Sequence, residues 1–135
     1  MIRLAAPCLL AAALCATATS ASEQRAGPGD PARLQRALKG LSPGTAQRCL
    51  SRDRVTELRG FEGEILYVGG RNRVWRNHTV GHCNGLARGD LIVTNSIGRD
   101  YCSGDIVQTR ERTGGMITGS CSLGDFVPYT KGDGR

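Results

Sequence analysis

EILYVGGRNRVWRNHTV, residues Glu64 to Val80, is the stretch whose reading decides the fold. Glu64–Val68 and Arg73–Val80 are runs rich in β-branched and aromatic residues, and Gly69-Gly70 stands between them. Two such runs about a glycine pair predict an antiparallel hairpin, because a tight primed turn needs positive φ and glycine adopts it without a steric penalty.

The same pattern recurs on both sides. Val55–Arg59, Leu91–Asn95, Ile106–Arg110, Met116–Cys121 and Phe126–Tyr129 are further short runs of this kind, separated by glycines such as Gly60, Gly81, Gly89, Gly104 and Gly124. Gly114-Gly115 marks a second hairpin turn. Short strands at this spacing predict a mainly β fold, a small antiparallel barrel or sandwich. Gly89-Asp90, Gly104-Asp105 and Gly124-Asp125 are each followed by two apolar residues. Glycine can take the turn that admits a strand and aspartate can bond the local backbone, so three strand entrances in a meander are expected. The rival reading gathers these aspartates at one rim as a catalytic or calcium cluster. Calcium loops, however, space their carboxylates every second residue, whereas these stand 15 and 20 residues apart.

Upstream of the strands, Asp30-Pro31 opens one short N-terminal helix. Aspartate caps it, proline suits its first turn, and Leu34, Leu38 and Leu41 recur at helical spacing. Gly40 and the Ser42-Pro43-Gly44 cluster end it. Arg33, Arg36 and Lys39 occupy its other faces. A helix so patterned can lie on a membrane surface, but packing against its own domain is the commoner use. The residues before it, 22–29, form a polar, Gly/Pro-rich lead-in. The chain therefore divides into residues 1–21, a lead-in and helix at 22–48, and a β domain at 49–135.

Residues 1–21 read as a signal peptide: Arg3 supplies the positive end, Leu4–Ala16 is free of charge, and a small-residue zone reaches Ala21. The apolar run of 13 residues falls short of the roughly 20 that a spanning helix needs, and no other stretch reads as a transmembrane segment. A lipid anchor on Cys15 is disfavoured because Leu14, not a small residue, precedes it. The expected location is the periplasm or outside the cell. The chain carries a net charge of +6; without the leader, 17 basic residues face 12 acidic ones, and most of the excess lies between Ser22 and Gly60. A positive surface favours anionic neighbours, although a bias to arginine alone accounts for as much.

Of six cysteines, Cys8 and Cys15 leave with the leader, and Cys49, Cys83, Cys102 and Cys121 remain. An even count in an oxidising compartment reads as two disulfides. With aromatic residues at only 4 %, cross-links help a ring-poor core hold together. Three pairings exist; the expected one joins Cys102 to Cys121 across a hairpin and leaves Cys49 for Cys83. Zinc on His78, His82 and Cys83 is disfavoured, because Val80 and Gly81 suit an extended or turning backbone and the cysteines are far apart. No metal or other cofactor is expected.

Arg71, Arg73 and Trp75 alternate, so on a strand they share one face. They form the best candidate binding surface, with the ring stacking and the guanidinium groups pairing with an anionic polymer. The plainer alternative makes Trp75 the largest residue of the core. Signals for catalysis are thin. There is no Gly-x-Ser-x-Gly elbow, His-Glu-x-x-His or phosphate loop. Glu62 and Glu64 share a face if extended, but so small a domain lacks the cleft that glycoside cleavage uses. Arg88-Gly89-Asp90 coincides with a strand entrance, and the Asn77-His78-Thr79 acceptor pattern means little in a bacterial setting.

Several residues carry a resemblance: Cys49-Leu50, the Tyr67 strand, Trp75-Arg76-Asn77, Cys83-Asn84-Gly85-Leu86, Cys102-Ser103-Gly104-Asp105 and Cys121. From Cys49 onward the chain resembles a bacterial family of small exported four-cysteine proteins of unknown function. The resemblance implies export and a compact β domain, and no activity. The expectation is thus an exported, non-catalytic domain that binds a protein or an envelope component, conceivably an anionic one, and not nucleic acid. The alternative is a small periplasmic hydrolase with a rim of Asp and His. A lysozyme-inhibitor role is weakened by the positive charge, since an inhibitor of a basic enzyme should be acidic.

Overall fold

The computed structural model describes residues 27–70 and 72–132; the expected leader at residues 1–21 and the candidate Arg71 lie outside the described residues. In chain order the elements are α1 (Pro31–Leu38), β1 (Leu41–Pro43), β2 (Cys49–Ser51), a 3-10 turn (Arg52–Arg54), β3 (Glu57–Phe61), β4 (Glu64–Gly69), β5 (Arg73–His82), α2 (Gly85–Arg88), β6 (Leu91–Asn95), β7 (Asp100–Cys102), β8 (Ile106–Arg110) and β9 (Ile117–Lys131).

The helix starts as expected: Asp30 Oδ1 accepts a hydrogen bond from the Ala32 N–H at 2.8 Å, and Pro31 fills the first turn. It ends one turn early. Gly40 turns the chain at φ 77°, so Leu41 opens β1 instead of extending the apolar stripe. Leu34 and Leu38 are buried. They pack against Phe61, Leu66 and Val74 on the outer side of the sheet, so the helix lies on its own domain.

Seven strands form one curled antiparallel sheet, ordered β3-β4-β5-β9-β8-β6, with β1 joined to β9. The result is an open half-barrel with β3 and β6 at its two edges. A separate two-stranded ribbon pairs β2 with β7. The topology is not a simple meander. After β5 the chain passes through α2 to the far edge and returns through β8 to β9, which pairs with β5 from its other side. The runs Met116–Cys121 and Phe126–Tyr129 lie within the one long strand β9, apart from Met116 itself.

Inside the curl lie Leu50, Ile65, Tyr67, Trp75, Leu86, Val107, Leu123, Phe126 and the Cys83–Cys121 bridge. Tyr67 sits between Tyr101 and Phe126, with ring centroids 5.3 and 5.1 Å apart. This tilted and edge-on geometry adds about 0.5–1.5 kcal/mol per pair beyond burial. The run Ile65-Leu66-Tyr67 is apolar without alternation because both sides of β4 are covered, the concave side by the core and Leu66 by α1.

The turns differ in detail from expectation. Gly69 pairs with Arg73, and the left-handed residue of that loop is Asn72, φ 58°. The tightest hairpin joins β3 to β4 through Glu62-Gly63, with Phe61 opposite Glu64 and Gly63 at φ 68°. Gly114-Gly115 does fall in the β8–β9 turn, a longer loop closed between Glu111 and Met116.

The expected cysteine pairing is overturned. Cys49 bonds Cys102 and Cys83 bonds Cys121. Cys49 and Cys102 stand directly opposite in the β2–β7 ribbon. Cys121 lies opposite Val107 of β8 and Gly81 of β5, which places it beside Cys83 at the end of β5. The β8–β9 hairpin forms as expected, but its register sets Cys121 opposite Val107, while Cys102, before the hairpin, pairs with Cys49 in the ribbon.

Candidate functional site

The alternation that groups Arg73 with Trp75 holds, but the side they share is the concave one. Trp75 is 4 % exposed and belongs to the inner core. Arg73 stands exposed where β5 begins, beyond the core's edge. A hollow of about 310 Å³ is lined by Asp53, Arg54, Thr56, Gly70, Arg73 and Trp75. Trp75 thus packs in the core, as the plainer alternative has it, while also forming part of the wall of this hollow beside Arg73. Among the described residues, the guanidinium–ring contact is a different one, Arg52 over Tyr101 at 4.8 Å.

The aspartates do not gather at one rim. Two of the three Gly-Asp pairs are strand entrances, before β6 and β8. These strands are antiparallel, with Leu91 opposite Arg110 and Asn95 opposite Ile106, so Asp90 and Asp105 stand at opposite ends of the pair. Asp90 accepts from the Thr118 hydroxyl at 2.6 Å and from Arg88 at 2.9 Å, which together hold its carboxyl below the ordinary range. Asp105 accepts from the Ser96 hydroxyl and the Cys102 N–H. The third pair, Gly124-Asp125, is no entrance but a bulge within β9, where these two residues face the single residue His78 on β5. His78 and His82 are exposed on β5. The Glu64 carboxylate beside His78 is already held at two points by Arg76, whose charge is reinforced by Glu64 and Tyr129. Among the described residues, no three His, Cys, Asp or Glu are placed to share a metal ion.

What the structure does bring together is an apolar patch that the candidate residues of the sequence do not include. Three rows cross the convex side of the sheet. They run Leu91, Arg110, Ile117; then Val93, Gln108, Ser120, His82; then Asn95, Ile106, Ser122, Val80. Val80 is 62 % exposed, Ile117 50 %, Ile106 46 % and Leu91 44 %. No carboxylate stands in these rows, and their fixed charge is that of Arg110. Helix α1 covers the other half of the same convex side. Exposed aliphatic residues gathered on one uncovered sheet surface are the usual mark of a contact surface.

No family model, curated protein or solved structure matches the chain. Function must be read from this chain's own surfaces.

A signal for the patch did exist in the sequence. A strand with one wet side alternates apolar and polar residues, yet Leu91-Ile92-Val93 and Ile106-Val107 do not. In Ile106-Val107 the second residue is fully buried and the first exposed. The doubled apolar pairs after Gly-Asp thus supply one residue to the core and one to the patch.

Proposed function

We propose that this chain is an exported, non-catalytic binding domain of the periplasm or the cell exterior, and that it engages a protein partner through the convex surface of β6, β8 and β9. One observation carries the proposal: the exposed aliphatic residues Val80, Leu91, Val93, Ile106 and Ile117 share the half of the sheet that α1 leaves bare. Two disulfides fit an oxidising compartment, and among the described residues no helix is long and apolar enough to cross a membrane. With Arg110 the one fixed charge in the patch, a complementary surface would be apolar with a carboxylate near its centre.

The test compares the wild-type chain with an Ile106→Lys/Val93→Lys variant and an Arg54→Ala/Arg73→Ala variant, each cross-linked in its native envelope. Loss of a cross-linked protein in the first variant and its retention in the second is the expected result. The opposite pattern would move the site to the basic hollow beside Trp75 and favour an anionic component.

A further inference from the structure

We propose that the open seam between β3 and β6 accepts an extended acidic peptide segment of a partner protein, which adds to the sheet as a strand. The two edge strands do not pair with each other; α2 packs against both, with Leu86 close to Gly60 of β3, and edge strands carry a row of unpaired backbone N–H and C=O groups. Between them lies a hollow of about 580 Å³, lined by Glu57–Phe61 of β3 and by Leu91 and Ile92 of β6. Leu58, Phe61, Leu91 and Ile92 give it apolar walls for alternate side chains of a guest. Edge strand β6, Leu-Ile-Val-Thr-Asn, holds no charge, no proline and no bulge, the devices that ordinarily blunt an exposed edge.

Charge selects the guest. The carboxylates of this lining are already engaged, Glu57 by Arg59 at 2.7 Å and Asp90 by Arg88 and Thr118. Arg33 and Arg112 also line the hollow. Among the described residues neither guanidinium is in a salt bridge: Arg33 donates to the Gly27 carbonyl at 3.4 Å and Arg112 to the Gly89 carbonyl at 2.8 Å. The charge of Arg112 also acts on Asp90, which Arg88 and Thr118 already hold. Two such cations at the rim of an uncharged strand edge favour a segment with acidic ends. Addition of a strand supplies affinity through main-chain bonds, and flanking charge supplies the choice. The seam shares only Leu91 with the convex patch, so each site stands or falls alone.

The test uses three labelled synthetic heptapeptides: Glu-Val-Thr-Val-Thr-Val-Glu, its Lys-ended counterpart, and an acidic version N-methylated at alternate residues. Fluorescence anisotropy measures binding, and amide hydrogen exchange locates it. The acidic peptide is expected to bind saturably and to slow exchange in both 57–61 and 91–95, while the N-methylated peptide fails to bind. An Arg33→Glu/Arg112→Glu variant should weaken it about tenfold, as two surface ion pairs near the upper end of their range allow, and should take the Lys-ended peptide instead. Both arginines are exposed, so the variant keeps the fold, and the single Arg33→Glu change gives an intermediate reading. No saturable binding, protection confined to other strands, or a charge preference unmoved by the variant would each overturn the proposal.

Discussion

Asn77 and Gly124 are bound to each other twice: the Asn77 amide nitrogen donates to the Gly124 carbonyl at 2.8 Å, and the Gly124 N–H donates to Asn77 Oδ1 at 3.0 Å. The side chain of a central strand thus replaces the ladder bonds that the bulge in β9 interrupts. Asn77 is fully buried, and nothing else is offered to these groups.

Asn77→Ala is therefore expected to lower stability by about 2–4 kcal/mol, since it removes two hydrogen bonds and strands two buried backbone groups. Gly124→Ala is expected to be at least as harmful, because a Cβ there would lie 2.4 Å from the His78 carbonyl oxygen. Urea denaturation with an unchanged m-value checks both; a loss under 1 kcal/mol in either would deny the bulge this role.

Digestion under non-reducing conditions is expected to yield peptides joining Cys49 to Cys102 and Cys83 to Cys121. The bridges close spans of 53 and 38 residues, worth about 4 kcal/mol each in the chain-entropy account. Cys49 is exposed while Cys83 and Cys121 are buried, so a mild reductant should open the ribbon bridge first. Mass mapping after graded reduction reads the order, and simultaneous loss of both would contradict it.

Ile106 and Val107 make a neighbouring pair with opposite surroundings. Val107→Ala should cost about 1.5–3 kcal/mol through lost core burial. Ile106→Asn should change stability by no more than about 0.5 kcal/mol while removing the partner contact. Melting curves and envelope cross-linking on the same two proteins separate the effects.

Tyr67 sets the alkaline limit. Burial raises its phenol well above the ordinary range, and the Thr94 hydroxyl only partly offsets this. Neither hydroxyl completes a well-formed hydrogen bond among the described residues. Because the folded state favours the protonated phenol, stability is full below the unfolded pKa of about 10 and falls as pH rises past it. Tyr67→Phe should be close to neutral at pH 7 and should remove part of the loss above pH 10, as thermal melts across pH 8–11 will read.

Much of this fold was legible, and what was not has a common cause. The helix, the hairpin at Glu64–Val80 and the positions of most strands follow from capping, periodicity and glycine, all of which act within a few residues. The cysteine pairing and the strand order did not follow, because both depend on β9 meeting β5 across some 40 residues, a choice that packing makes. The Gly124-Asp125 bulge copied the local grammar of a strand entrance, and only Asn77, far away in sequence, reveals otherwise. For the site, alternation placed Trp75 and Arg73 together correctly but could not say which side of a curled sheet is concave. The convex patch was written in the doubled apolar pairs, a departure from alternation that gains its meaning once one side of the sheet is known to be bare.

β9 is both the last strand of the described residues and the central one, joined to β5, β8 and β1. Strands β3 to β5 and the pair β6–β8 share a sheet only through residues 117–131; apart from β9 they are linked by the Cys49–Cys102 ribbon and by α2, which packs against β3, β6 and β8. Without β9 the molecule would be two pieces of sheet with no shared ladder, tethered by one covalent bridge in the ribbon.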